Sequence, residues 1–458
     1  MPHKIITFGK LHKYPLLFAL GSVLFYWGFG YDLNRADFIK LLMLYAGAFY
    51  FYYKLIQLQH WNFNFLLIVG VFFRLIFFLA EPNLSQDFYR FIWDGELIKN
   101  GINPYLFTPN EILAQNQPIF PNAQNLVDGM GALSAKHYSN YPPVNQAIFA
   151  LASLISGGNL LGSMIVMRAT IILADIGILY FGKKLLVFLD QPAHKVFWYF
   201  LNPLVIIELT GNLHFEGVML FFFIWSLYLI SKNKWLWAAP VYAISIMIKL
   251  IPLLFLPIFL KFFGMKRSLL FYVSVWVGCI LLLLPFYAST FIDHYSETVG
   301  LWFSNFEFNA GIYNLVKIIA VAFFEAKPWE LIEVYGTIVI GLTAAIVLLI
   351  TFLRKNDSLQ SIIISMLLAL SAYYLLSSTV HPWYLIFLLG LGMFTKFKFP
   401  VLWSFLVILS YHAYSNPDYA ENLWLLAIEY ILIFGLFIYE IVGYDTKKLY
   451  FFKNWPGH

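Results

Sequence analysis

The stretch from residue 331 to residue 353, LIEVYGTIVIGLTAAIVLLITFL, carries one acid, Glu333, and is followed at once by Arg354 and Lys355. At about 1.5 Å rise per residue a helix of that length crosses a hydrocarbon core of about 30 Å, and the paired cations mark a cytoplasmic end. Comparable runs lie at 14–31, 37–57, 62–80, 160–182, 195–210, 215–231, 268–288, 359–378 and 422–443, with shorter ones at 234–248, 250–262, 383–395 and 398–414. The sequence therefore predicts an all-α, polytopic membrane bundle of about 12–14 transmembrane helices.

Composition agrees. Of 458 residues, 61% are apolar and 12% charged, with a mean hydropathy of +0.74. A soluble surface needs about 25% charged residues, so a water-soluble globular fold is excluded. The balance of 29 basic to 24 acidic side chains, net +5, is too small for a nucleic-acid partner. Cys279 is the single cysteine, which excludes a disulfide framework and a thiolate metal site. The basic start MPHKIITFGKLHKYP precedes the first run without a small-residue cleavage site and reads as a retained signal anchor. One domain is expected over 1–458: spans in 1–80, an extracytoplasmic loop at 81–143, further spans in 144–443 and a cytoplasmic tail at 444–458.

Cytoplasmic loops are enriched in Lys and Arg. Starting inside and alternating puts Lys183, Lys184 and Lys195, Lys232 and Lys234, Lys261, Lys266 and Arg267, Arg354 and Lys355, Lys396 and Lys398, and Lys447, Lys448 and Lys453 all inside. Its weakest step is 234–262, which must make two short passes turning near Lys249. The long stretch Glu81 to Pro143 and the turns near 211–216, 291–311, 377–383 and 415–422 fall outside, where polar and titratable residues concentrate.

The most informative external segment is Ser85-Gln86-Asp87-Phe88-Tyr89-Arg90-Phe91-Ile92-Trp93-Asp94-Gly95, continuing to Gly101-Ile102-Asn103-Pro104-Tyr105. As a helix it sets Asp87, Arg90 and Asp94 on one face beside an apolar face, the pattern of a helix lying in the outer interface. Ser85 suits its N-cap and Asn100-Gly101 its stop. The acids are either interfacial charges bridged by Arg90, or one is a general base whose pKa rises beside low-dielectric walls. Both readings stand on the residues alone.

Lys249, forced outside against the charge trend, is either a snorkelling lysine or a phosphate contact. Arg74 and Arg168, each inside a span, are further phosphate candidates. His214 and Glu216 form a lone His-x-Glu pair, too few ligands for zinc, and read as substrate contacts or polar caps. His381 and Trp383 read as interface anchors or as a sugar-facing turn.

The run SQDFYRFIWDG to GINPY, with YPPVNQ at Tyr141–Gln146, NLHFEG at Asn212–Gly217, IKLIP at Ile248–Pro252 and VHPWYL at Val380–Leu385, resembles the polyprenyl-phosphate-mannose-dependent mannosyltransferases of the GT-C superfamily. The resemblance implies a bacterial inner-membrane enzyme of the cell envelope, with cytoplasmic termini. It would move a hexose, mannose first, from a polyprenyl-phosphate donor to an extracytoplasmic glycan or glycolipid hydroxyl with inversion. It implies Asp87 as catalytic base, Asp94 and Arg90 as the second acid and its orienting cation, and Lys249, Arg168 and Arg74 at the donor phosphate. His214, Glu216, His381, Trp383, Tyr105 and Tyr141 would touch substrate, with Trp93, Tyr105 and Trp383 stacking on sugars. The family often doubles the acid after the serine; here Gln86 precedes Asp87, which weakens a carboxylate-pair cation site and leaves no certain cofactor, a divalent cation remaining open.

Two other classes stay in view: a lipid-linked sugar flippase, and a non-catalytic lipid-sugar-binding component. A transporter should concentrate charge at the midplane, where only Asp175 is expected, and no Gly-x-Gly-x-x-Gly or Gly-x-x-x-x-Gly-Lys loop supports a nucleotide-sugar enzyme.

Overall fold

The structure, a computed structural model, describes residues 13–115 and 119–453. The start of the expected signal anchor and residues 454–458 of the expected tail lie outside the described residues. The chain begins with α1 (Lys13–Tyr31), α2 (Phe38–Gln59) and α3 (Phe63–Ile76). The loop contributes α4 (Asp87–Lys99), α5 (Pro109–Leu113) and α6 (Ala123–Ala135). Then come α7 (Pro143–Ser156), α8 (Leu160–Phe188), α9 (Pro203–Gly211), α10 (Glu216–Ser231), α11 (Trp235–Ile246) and α12 (Ile251–Phe263). The second half holds α13 (Met265–Leu283), α14 (Phe291–Ser304), α15 (Gly311–Phe324), α16 (Pro328–Leu353), α17 (Leu359–Leu376), α18 (Pro382–Gly392), α19 (Phe399–Ser415) and α20 (Leu423–Lys453).

Local chemistry fixes several starts. The side chains of Asp37, Asn62 and Asn159 accept the amides of Lys40, Phe65 and Gly162, and Ser358 forms a capping box with Ser361. Leu269 and Trp276 on α13 and Ile431 and Tyr439 on α20 stay exposed, as helices facing lipid require.

The bundle is all-α and multi-pass, and several of the expected runs form shorter or bent helices. Among the described residues six helices are long and apolar enough to cross a membrane, and a bent pair makes up to a seventh. The runs 195–210 and 215–231, expected as two passes, give a short turn followed by α9 and α10, which meet at 114°. Pro203 starts α9, whose last residues, Ile206–Gly211, widen into a π-helical turn, and Leu213 takes a left-handed φ of 62° before α10 begins. The expected passes at 234–248, 250–262, 383–395 and 398–414 are apolar helices of fewer than 18 residues, and the run at 62–80 gives a helix of 14.

Two buried arginines join the elements around that break. Arg74 on α3 donates to Asp175 on α8 at 2.8 Å and lies over the Phe200 ring, while Tyr199 donates to the other Asp175 oxygen at 3.0 Å. Arg168 on α8 donates to four main-chain carbonyls: Phe78 (2.9 Å) and Ala80 (2.8 Å) after α3, and Thr210 (2.7 Å) and Gly211 (3.3 Å) at the break. A planar guanidinium carries five N–H donors in a fixed fork, against three on an ammonium, and so can hold four carbonyls at once.

Arg168→Met should therefore strip four buried acceptors of their donor and lower unfolding stability by about 3 kcal/mol or more. Arg168→Lys should rescue only part of it. Thermal unfolding in detergent reads both, and an unchanged midpoint for Arg168→Met would contradict this role.

Candidate active site

The loop helix α4 departs from its expected interfacial position. Phe88 and Arg90 through Leu97 are buried around its circumference. Gly95 makes this fit: a β-carbon there would run into the Phe149 carbonyl of α7. The charges that such burial encloses satisfy each other. Arg90 donates to Asp94 at 2.8 Å and to the carbonyls of Ser134 and His137, and Asp94 also accepts from Ser139 (2.5 Å) and Gln146 (2.9 Å). Ser85 does not cap by the expected geometry; Gln86 holds the N-cap position, and the Ser85 hydroxyl accepts the Asp87 amide at 3.3 Å. The expected stop at Asn100-Gly101 is present, with Gly101 at φ 76°.

Asp87 differs from Asp94, about two turns further on. It occupies the first turn of α4, is half-buried and is held by no salt bridge among the described residues. Burial pushes its carboxyl up to about 6, against the lowering fields of Lys249 and Arg35 and with the raising field of Glu216. Gln86 turns away and donates to the Met130 carbonyl at 3.0 Å.

The connection that carries Asp87 is tied to the α9–α10 break. The Asn212 side-chain oxygen accepts the Leu84 amide at 3.0 Å, and Arg35 approaches the Leu84 carbonyl at 3.5 Å. Beyond the break, Glu216 pairs with Lys249, leaving its other oxygen buried without a hydrogen-bond partner, and Lys249 remains one-quarter exposed. The YPPVNQ segment acts as a brace: Val144 donates to the Met247 carbonyl (2.9 Å) and Asn145 to the Ile248 carbonyl (2.7 Å), fixing the backbone just before Lys249.

A column of rings borders this cluster. His214 stacks on Trp383 at 3.9 Å, Trp383 on His381 at 4.4 Å, and His381 on Phe308 at 4.9 Å. Burial first, then Lys249, lowers the His381 pKa to about 3, so this imidazole is neutral. His214 also lies 3.6 Å from Glu208, whose other oxygen accepts the Tyr411 hydroxyl at 2.6 Å.

The structure thus gathers Asp87, Lys249, Glu216, His214, His381 and Trp383 about one break, with Tyr141 close enough for Asp87 to raise its phenol. It does not bring Arg74 and Arg168 there as free cations, since both are fully buried in the contacts already described. Tyr105 is fully buried, donating to the Tyr141 carbonyl at 2.6 Å, and Trp93 lies buried edge-on to Phe120, so neither presents a face to a sugar. The Trp383 indole is 9% exposed and engaged by two imidazoles, which argues against the expected sugar stacking. Among the described residues no three His, Cys, Asp or Glu side chains converge as metal ligands, so the donor set does not make a cation cage.

Sequence reasoning missed Arg35 and the role of Glu208. Arg35 sits in the turn Asp32–Asp37, external under the predicted alternation, so it breaks the same charge trend that singled out Lys249. Its guanidinium lies 4.6 Å over the Tyr414 ring.

Residues 40–265 match the family described as "Alpha-(1->6)-mannopyranosyltransferase, N-terminal domain". Over that part the chain is similar to this family. The matched region contains Asp87, the brace, the break and Lys249, while Val380–Leu385 lies outside it. Among curated proteins the chain is 26% identical over 148 residues to "Alpha-(1->6)-mannopyranosyltransferase B" of Corynebacterium glutamicum, covering 31% of this chain and 23% of that protein. It is 24% identical over 142 residues to "Alpha-(1->6)-mannopyranosyltransferase A" of Mycobacterium tuberculosis, covering 31% and 26%. The matches span about a quarter of the length of these relatives.

The two acids of α4 should respond oppositely to substitution. Asp94→Ala leaves Arg90 buried and unpaired, a loss of about 3–5 kcal/mol, whereas Asp87→Asn should leave the thermal midpoint in detergent nearly unchanged. Equal destabilisation by both would contradict the assignment of Asp94 to structure and Asp87 to the open site.

Proposed function

We propose that this chain is an inverting GT-C mannosyltransferase of the inner membrane that takes mannose from a polyprenyl-phosphate donor to an extracytoplasmic glycan or glycolipid hydroxyl. The observation that carries the reading is Asp87: a half-buried carboxylate with its pKa raised to about 6, within the field of the one-quarter-exposed Lys249 and in no ion pair among the described residues. The family match over residues 40–265 supports the sugar class.

In the proposed step the acceptor oxygen attacks the anomeric carbon as Asp87 takes the hydroxyl proton. The bond from that carbon to the phosphate oxygen breaks, and its electron pair leaves with the lipid phosphate. Lys249, with Arg35 behind it, faces the growing negative charge, while Glu216 holds the ammonium in place. The orientation is supported by charge. Lys195 donates to the Thr395 carbonyl and is repelled by Lys396, and Lys261 donates to the Arg354 carbonyl, so within each pair clusters far apart in sequence lie together, as a shared cytoplasmic placement requires. The flippase reading loses its midplane acid, because Asp175 is fixed by Arg74 and Tyr199.

Membranes given radiolabelled polyprenyl-phosphate mannose should transfer label to endogenous acceptor, and Asp87→Asn should reduce transfer about 100- to 10,000-fold, the usual worth of a general base. Equal transfer by both proteins would overturn the assignment. Because the base must be ionised, kcat/KM should be level above a limb near pH 6 and fall about tenfold per pH unit below it. A rate unchanged from pH 7 to pH 5 would remove Asp87 as the base.

A further inference from the structure

At the other end of the molecule α2, α18, α19 and α20 enclose a cavity of about 920 Å³ that the proposed reaction does not use. Its place follows from α2. Arg35, just before that helix, acts on Asp87, whereas Phe49, Tyr50 and Tyr53 line the cavity some 14–18 residues later, roughly 21–27 Å along the axis at 1.5 Å per residue. The walls are apolar, with Phe405, Leu402 and Leu436 facing Phe49, and Tyr50 and Tyr53 stand half-exposed at the lipid side. The polar lining includes three lysines, Lys195, Lys396 and Lys398.

Among the described residues none of the three is salt-bridged. Glu440 accepts the main-chain amides of Lys398 (2.9 Å) and Phe399 (3.1 Å), not a lysine side chain. Lys195 uses two of its three N–H groups, on Gln191 (2.8 Å) and the Thr395 carbonyl (2.9 Å). One donor and two exposed ammonium groups therefore stand at an apolar groove with no salt-bridge partner among the described residues.

We propose that this groove binds one anionic phospholipid from the leaflet opposite Asp87, its acyl chain against Phe49, Leu402 and Phe405 and its phosphate between Lys195, Lys396 and Lys398. A zwitterionic lipid would fill the same walls but return a cation to the cluster. The charge arrangement therefore selects the acidic headgroup.

The test delipidates the full chain in detergent, exposes it to vesicles of phosphatidylglycerol or phosphatidylcholine and counts retained lipid by native mass spectrometry. One phosphatidylglycerol per chain is expected, retained about tenfold over phosphatidylcholine, and K396Q/K398Q should lose about tenfold while K396R/K398R keeps it. Leu402→Trp, which fills the groove and leaves the lysines intact, should also lose retention, so misfolding of the charge variant does not blunt the test. Equal retention of both lipids, unchanged retention by both the glutamine and tryptophan variants, or a second copy of the chain seated there would overturn the proposal.

Discussion

The Arg168 guanidinium is the constraint on which the arrangement depends. In lipid every main-chain carbonyl needs a partner, and a helix that breaks inside the bundle leaves several without one. Arg168 supplies donors to Thr210 and Gly211 at the break and to Phe78 and Ala80 where the chain leaves α3. The two irregular segments are thereby held by one side chain. Asn212, next to the break, then takes the Leu84 amide, and Asp87 follows three residues later. The position of the candidate base relative to Glu216 and Lys249 is thus set by main-chain hydrogen bonding rather than by contacts of the acid itself.

A second consequence concerns what stays available. Three buried arginines are engaged internally: Arg74 by Asp175, Arg90 by Asp94, and Arg168 by carbonyls. Pairing of this kind holds a fold together and removes the group from chemistry. Asp87, the exposed side of Lys249 and the second Glu216 oxygen remain at the break, and that contrast, more than the number of polar residues, distinguishes the proposed site from its scaffold.

Much of this was legible in the sequence. Apolar runs bounded by lysines establish a multi-pass helical protein, and the motif residues Asp87, His214, Glu216, Lys249, His381 and Trp383 do assemble. The remainder required three dimensions. Arg74 and Arg168 read as free intramembrane cations because Asp175 is 101 residues from one and the other's partners are carbonyls, which carry no sequence signature. The burial of α4 depends on Gly95 meeting Phe149, a close approach that periodicity does not reveal. Hydrophobic continuity also hides a bend, as at α9 and α10. Arg35 was visible as an external cation but had no motif to single it out.

The proposed reaction requires the loop bearing Asp87 and the lysine-lined groove to lie on opposite sides of the bilayer, with the acid outside. Cys279 is buried, so single cysteines placed at exposed Asn110, in the loop, and at exposed Lys396 report without background from it. In intact cells a membrane-impermeant maleimide is expected to label Asn110→Cys at once and Lys396→Cys only after permeabilisation. Labelling in the reverse order would place the candidate base in the cytosol, away from the proposed acceptor, and would contradict the account.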